Sequence, residues 1–116
     1  GKDSHRHRVA GAHEVLLASQ HRVALMLELR NHDEPALSQL LTRLSPVDLV
    51  LIEGYKRDDH PKIEAHRAIT RQPLIAPLDD TIRAVASDVP LTLSCPVFDL
   101  DDTVGLADFV LGEVGL

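Results

Sequence analysis

Val47-Asp48-Leu49-Val50-Leu51-Ile52-Glu53-Gly54 is the stretch of sequence that decides the fold class. Its aliphatic residues follow one another without the polar–apolar alternation that marks a strand with one solvated face. Such a run is typical of a strand covered on both faces, as in a parallel sheet. We therefore predict a buried strand over residues 47–52, with Glu53 at its carboxyl end.

Strand and helix patterns alternate on both sides of this run. Upstream, the patterns predict a short helix at 3–12, a hairpin of strands at 13–19 and 21–29, and a helix with an apolar stripe at Leu37, Leu40, Leu41 and Leu44. Downstream, they predict strands at 62–68 and 82–87, an extended piece at 96–100, and a last helix capped by Asp101 or Asp102. This interleaving predicts an α/β protein with a mostly parallel sheet, flanking helices and a β-hairpin. A length of 116 residues fits a single domain over 1–116.

Composition excludes several functional classes. The net charge is −6, and the chain has no Trp, one Tyr and two Phe, so it is a poor candidate for a nucleic-acid-binding protein, which needs an excess of cations and aromatic side chains for stacking bases. The apolar runs are far shorter than the roughly 20 residues of a membrane-spanning helix. Cys95 is the single cysteine, so no intrachain disulfide forms, which favours a cytoplasmic location.

Glu53 is the strongest candidate for chemistry. Ligands of open α/β sheets bind outside the carboxyl ends of the strands, where Glu53 is predicted to lie. There its carboxylate would hold a Mg²⁺-bound water or orient an attacking water near a phosphate, and Gly54 would allow close approach of a ligand. The alternative is a solvated carboxylate that merely ends a strand.

Ser87 and Asp88 have the same predicted position, because they end the small apolar strand at 82–87. An ionised Asp only accepts hydrogen bonds, so Asp88 suits the N–H donors of a guanine edge. The alternative is a carboxylate that caps the strand at a turn.

The loop that begins at Lys56 is the third candidate. Lys56, Arg57 and Lys62 flank it, and they suit contacts with a phosphate or a pterin, or simply a solvated loop. The seven His residues follow no metal-binding spacing. Gly1-Lys2-Asp3-Ser4 is not a phosphate-binding Walker A motif, because that motif needs Ser or Thr directly after the Lys.

Four pieces of the sequence, taken together and in order, resemble the molybdopterin-guanine dinucleotide biosynthesis protein B (MobB) family. The pieces are Gly1-Lys2-Asp3-Ser4-x-Arg6-His7-Arg8-x-Ala10-Gly11-Ala12, Asp48-Leu49-Val50-Leu51-Ile52-Glu53-Gly54-Tyr55-Lys56, Pro61-Lys62-Ile63-Glu64-x-His66-Arg67 and Ala84-Val85-Ala86-Ser87-Asp88.

The resemblance implies a P-loop NTPase-like fold that binds GTP with Mg²⁺, and a homodimer. It further implies a weak GTPase or adaptor that helps a MobA-type guanylyltransferase attach GMP to molybdopterin. On that basis Glu53 and Gly54 take the place of the family's Walker-B-like strand end, and Lys56, Ser87 and Asp88 are candidate nucleotide contacts. Asp3, Ser4 and Arg6 would lie in the segment that follows the first nucleotide-contacting loops.

The resemblance also implies a first strand and a Gly-rich phosphate loop ahead of the segment that matches here. Several charged hydrogen bonds to phosphate come from that loop, each contributing roughly 1.5–3 kcal/mol. We therefore expect this chain by itself to bind GTP weakly. The alternative function is a non-catalytic dimerisation or partner-docking domain with a vestigial nucleotide site.

Overall fold

The computed structural model describes residues 2–116, which form two compact units. One unit ends at Arg43 and the other spans Leu44–Leu116. The prediction of a single domain over 1–116 stays a prediction.

The first unit contains a helix, a hairpin and a short second helix. These are α1 (Lys2–Val9), β1 (Glu14–Ala18), β2 (Val23–Leu27) and α2 (Leu37–Leu41). β1 and β2 are antiparallel, from Glu14 opposite Leu27 to Ala18 opposite Val23, which confirms the predicted hairpin. The Ser19 hydroxyl closes the turn by accepting from the amides of His21 and Arg22. α2 ends at Leu41, so Leu44 lies beyond the helix that its spacing predicted.

The second unit is built on a parallel sheet. Its strands are β3 (Lys62–His66), β4 (Ile82–Ser87) and β5 (Val97–Asp99), in that spatial order and all parallel. Two 3₁₀ turns, Ala68–Thr70 and Ala76–Leu78, lie between β3 and β4, and α3 (Thr103–Glu113) follows β5. The Asp102 carboxylate caps α3 by accepting from the Gly105 amide at 2.9 Å, which selects one of the two caps, Asp101 or Asp102, that the sequence predicted. The predicted α/β class with a parallel sheet is confirmed.

The core of this unit is the central strand β4. Ala84, Val85 and Ala86 are buried, and both edges of the strand carry a hydrogen-bonded neighbour. From Ala84 to Ser87 the residues on both faces of β4 are buried, which is why this part of the strand is small and mostly apolar, whereas Arg83 near its start is exposed.

The predicted strand at 47–52 is not formed. Within the described residues this segment pairs with no strand, and Leu51 is 79% exposed. Apolar composition alone does not make a strand, because its backbone N–H and C=O groups also need a ladder partner. The prediction of a parallel sheet was correct, but the segment that suggested it lies outside the sheet. Glu53 consequently does not lie at the carboxyl end of a sheet strand.

Among residues 2–116, no helix has the length and apolar character needed to cross a membrane.

Candidate functional site

The carboxyl edge of the parallel sheet places three polar side chains in one row. His66, Ser87 and Asp99 are register partners at the ends of β3, β4 and β5. Asp88 follows directly, and its amide donates to the His66 carbonyl at 3.3 Å. This is the edge at which open α/β sheets bind ligands.

Asp88 is exposed at this edge with one carboxylate oxygen already engaged. Its Oδ1 accepts a hydrogen bond of 2.9 Å from the amide of Ala68, which is the first residue of the 3₁₀ turn that follows β3. A carboxylate has about four lone-pair sites, so Oδ2 and part of Oδ1 remain able to accept from a ligand. The residue therefore holds the neighbouring loop and also offers an acceptor to solvent.

Ser87 is buried, and its hydroxyl shapes the turn after β4. Its Oγ donates to the Val89 carbonyl at 2.8 Å and accepts from the Val89 amide at 3.1 Å. These bonds fix the direction in which the chain leaves the sheet edge and so hold Asp88 in place. The predicted contact of Ser87 with a nucleotide stays a prediction.

Glu53, Gly54 and Lys56 lie together on an exposed loop in the same unit. Gly54 has a φ of 83° and Tyr55 a φ of 49°, so two successive residues adopt left-handed backbone. A Cβ at Gly54 would meet nothing within 4 Å, so the backbone angle, and not lack of space, accounts for glycine there. The turn closes where the Asp58 amide donates to the Tyr55 carbonyl at 3.1 Å.

Lys62 anchors the end of that loop from inside the fold. Its ammonium donates to the backbone carbonyls of Asp58 and His60, and its side chain is only 10% exposed. The alternative that Lys62 contacts a phosphate does not fit this placement, because its donors face the protein's own carbonyls.

Asp79 completes the surroundings of Lys62. Its Oδ2 lies 3.9 Å from the Lys62 ammonium, and its Oδ1 accepts from the Thr81 hydroxyl at 2.5 Å and the Thr81 amide at 2.9 Å. The Thr81 hydroxyl, followed by the Thr81 amide, lowers the pKa of Asp79, with a smaller contribution from Lys62. Asp79 is therefore held as a carboxylate that orders the turn before β4.

Glu64 is a structural anchor whose role the sequence did not suggest. Its carboxylate accepts from the Ile75 amide at 2.9 Å and the Ala76 amide at 2.8 Å, at the start of the second 3₁₀ turn. The Pro61-Lys62-Ile63-Glu64 motif thus supplies two residues that hold two different loops. The only feature of the sequence that could have indicated this role for Glu64 was the alternation of charged and apolar residues, and that alternation also fits an ordinary half-exposed strand.

Asp3 and Arg6 lie on α1, in the first unit. Both are exposed and are three residues apart, on one face of the helix. Arg8 forms an ion pair of 2.6 Å with Glu28, and Arg30 donates to the Gly11 carbonyl, which together tie the end of α1 to the hairpin. The structure brings Asp3 and Arg6 near each other, and it brings Ser87 near Asp88, but the two pairs belong to separate units.

The first unit also has a cleft that sequence reasoning missed. Its volume is about 350 Å³, and Leu27, Leu29 and Pro35 line it together with His13 and His32. In the described part of the chain, no three His, Cys, Asp or Glu residues are grouped to hold a metal ion.

These features define an α/β protein whose parallel sheet carries ligand-accessible polar groups at its carboxyl edge, an architecture consistent with P-loop-like folds. Residues 1–88 match the family model described as molybdopterin guanine dinucleotide synthesis protein B. The chain belongs to the MobB family.

Relatives and a solved structure agree with this assignment. The molybdopterin-guanine dinucleotide biosynthesis adapter protein of Escherichia coli (strain K12) is 43% identical over 114 residues, covering 96% of this chain and 65% of that protein. The adapter protein of Haemophilus influenzae is 37% identical over 111 residues, covering 95% of this chain and 61% of that protein. The chain therefore spans less than two thirds of the length of these two relatives.

The crystal structure of a MobB protein homolog from Bacillus stearothermophilus has the same fold. It superposes with a TM-score of 0.70 at 30% identity, covering 90% of this chain and 72% of that one.

Proposed function

We propose that this chain acts as a GTP-binding adapter in molybdenum cofactor biosynthesis, assisting a MobA-type guanylyltransferase as it attaches GMP to molybdopterin. The family match carries the proposal, because it covers Glu53, Gly54, Ser87 and Asp88 in one continuous stretch. Both relatives bear the name adapter protein. A cytoplasmic location is part of the proposal.

Asp88 is proposed to select guanine. The guanine edge presents a ring N–H and an exocyclic amine, and a carboxylate accepts from both donors, whereas adenine offers no such pair. Exposure of Asp88, and an Oδ2 that the Ala68 amide leaves unoccupied, support this role. The Ala68 bond orients the carboxylate before a ligand arrives, which reduces the entropy lost on binding.

Glu53 and Lys56 are proposed to face the phosphates. Mg²⁺ commonly binds through one or two carboxylates, while water and substrate phosphates complete its coordination shell. The single exposed carboxylate of Glu53 fits this kind of site, in which most ligands are water and phosphate oxygens. A bound Mg²⁺ would neutralise phosphate charge. Any GTP hydrolysis supported by one such carboxylate would be slow, consistent with a weak GTPase.

The hairpin supports a homodimer. Leu16 and Leu25 lie opposite each other on one face of β1–β2, Val23 shares that face, and all three are exposed. α1 packs against β1, and Val15 on the opposite face of the ribbon is buried. A second copy that covers the Leu16–Leu25 face would bury the apolar side that this chain leaves exposed.

The alternative is a partner-docking or dimerisation domain with a vestigial nucleotide site. One observation favours it: among the described residues, Glu53 belongs to no group of three or more His, Cys, Asp or Glu side chains that could hold a metal ion.

Calorimetric titration with a non-hydrolysable GTP analogue and Mg²⁺, with the ATP analogue as comparison, tests the nucleotide role. We expect weak binding with a preference for guanine, lost in Asp88→Ala. Asp59→Ala is the matched control, because Asp59 is also an exposed acid in the same unit, and it should bind as the wild type does. Equal affinity for both analogues would refute the role of Asp88, and no binding by either would favour the alternative.

A further inference from the structure

Arg67 is an exposed cation at the carboxyl edge of the sheet, directly beside Asp88. Asp88 is bonded to both residues that flank Arg67. Its amide donates to the His66 carbonyl at 3.3 Å, and its Oδ1 accepts from the Ala68 amide at 2.9 Å. Because that second amide directly follows Arg67 in the chain, the α-carbon of Arg67 lies within roughly 5 Å of the Asp88 carboxylate. An extended arginine side chain is longer than this separation.

The backbone of Arg67 directs its side chain past the carboxylate. Arg67 is extended, with a φ of −124° and a ψ of 122°. Side chains of extended residues stand roughly perpendicular to the direction in which the backbone N–H and C=O groups make their hydrogen bonds. The Asp88 carboxylate lies in line with the Ala68 N–H group, so the Arg67 side chain rises beside it. In agreement, Arg67 forms no ion pair within residues 2–116, although a carboxylate is so close.

A guanidinium in this position suits the flat face of a base. The group is planar and weakly hydrated, and it stacks on aromatic rings. A guanine whose edge donates to Asp88 lies in line with the carboxylate, while the guanidinium rises from the adjacent backbone and covers one ring face. Hydrogen bonds at an exposed edge replace bonds to water and contribute little net free energy. Contact with a ring face therefore adds affinity that the edge alone does not supply.

The aromatic side chains of this protein lie in other places. Phe98 and Phe109 pack against each other, with ring centroids 5.5 Å apart, and Tyr55 lies on the loop that precedes β3. His66 is half-buried, and as the neighbour of Arg67 on an extended backbone it faces the opposite side. Arg67 is thus the planar side chain that the fold places beside the Asp88 carboxylate.

We propose that Arg67 stacks on the base of the bound nucleotide while Asp88 holds the edge of that base. This inference rests on the proposed guanine role of Asp88 and assigns a second contact in the same site. The two residues divide the recognition between them. Asp88 selects guanine, because its acceptors match the donors of the guanine edge. Arg67 raises the affinity for any purine, because every base has ring faces.

NMR titrations of the full chain with guanosine, a non-hydrolysable GTP analogue and the ATP analogue test the proposal. Arg67→Ala should weaken binding of all three ligands by about fivefold and leave the preference for guanine unchanged. Arg67→Lys keeps the charge without the planar group and should restore little of this loss. In the wild type, the ring current of the bound base should shift the δ-methylene and Nε–H signals of Arg67 upfield.

Arg71→Asn is the matched control for charge. Arg71 is an exposed arginine at the end of the same 3₁₀ turn, and asparagine adopts its φ of 54° readily. This variant should bind all three ligands within twofold of the wild type.

The outcomes separate this inference from the proposed nucleotide role. Guanine-selective binding that Arg67→Ala leaves unchanged would refute the stacking contact, while the role of Asp88 stands. A loss that spares guanosine and is restored by Arg67→Lys would indicate a phosphate contact, and an equal loss in Arg71→Asn would indicate unspecific attraction to cations; either result overturns the proposal. No binding of any ligand by the wild type would refute both the stacking contact and the nucleotide role.

Discussion

Replacing Glu64 by alanine is expected to destabilise the protein by about 2–3 kcal/mol. The Glu64 carboxylate accepts from two backbone amides, those of Ile75 and Ala76, and a hydrogen bond to a charged group contributes roughly 1.5–3 kcal/mol, so two bonds set an upper limit of about 6 kcal/mol. The Ile75 bond is exposed to solvent, where water replaces most of it, whereas the Ala76 bond is partly buried. A loss of this size lowers the Tm by roughly 5–15 °C.

Urea denaturation followed by circular dichroism measures the effect. Glu64→Gln keeps an acceptor oxygen without the charge and should lose only about 1 kcal/mol. Asp59→Ala is the control, because Asp59 is an exposed acid in the same unit and should stay within about 0.5 kcal/mol of wild type. A Glu64→Ala protein as stable as the Asp59 control would refute the idea that the carboxylate holds the second 3₁₀ turn.

Three further predictions concern the loops beside the sheet. Lys62→Met should lower the free energy of unfolding by about 1–3 kcal/mol and speed hydrogen exchange of the amides of residues 55–60, because it leaves the Asp58 and His60 carbonyls without their ammonium donor. Unchanged exchange rates would contradict this prediction. The pKa of Asp79 is lowered in the folded protein, so its carboxylate stabilises the fold fully above the ordinary pKa of about 4, and this stabilisation is lost as the pH falls through the lowered pKa. In thermal melts from pH 6 to 2.5, Asp79→Asn should therefore lose less Tm on the acid side than the wild type does. Parallel curves for the two proteins would count against this role of Asp79. Gly54→Ala should lower the free energy of unfolding by about 1 kcal/mol in the urea assay, because Gly54 has a positive φ. Gly112→Ala is the control, because Gly112 has equal space but lies on a helix without such an angle, and it should be neutral or stabilising. Equal effects of the two variants would argue against backbone strain at Gly54.

Local sequence patterns predicted most of the elements. The hairpin, the parallel strands at 62–66 and 82–87, and the Asp102 cap follow from alternation, small apolar residues and capping chemistry, all of which act over a few neighbouring residues. Residues 47–52 show where such reasoning fails. Their aliphatic composition satisfies one requirement of a buried strand, but the ladder partner is a property of the rest of the fold.

The candidate site was predictable in part. The position of Asp88 after β4 follows from the end of an apolar run, and the structure places it at the sheet edge. Its bond to Ala68, and the bonds of Glu64 to the second 3₁₀ turn, join residues 11 to 20 positions apart, so they leave no local pattern in the sequence. Lys62 appeared to be a solvent-facing cation, yet the fold buries its side chain and directs its ammonium to backbone carbonyls.

The adapter function is tested most directly by the rate at which a MobA-type guanylyltransferase converts molybdopterin and GTP into the guanine dinucleotide, measured with and without this chain. We predict that adding the chain raises the rate, and that Asp88→Ala reduces the gain. A rate that stays at the enzyme-only value at every concentration of the wild-type chain would contradict the proposed function.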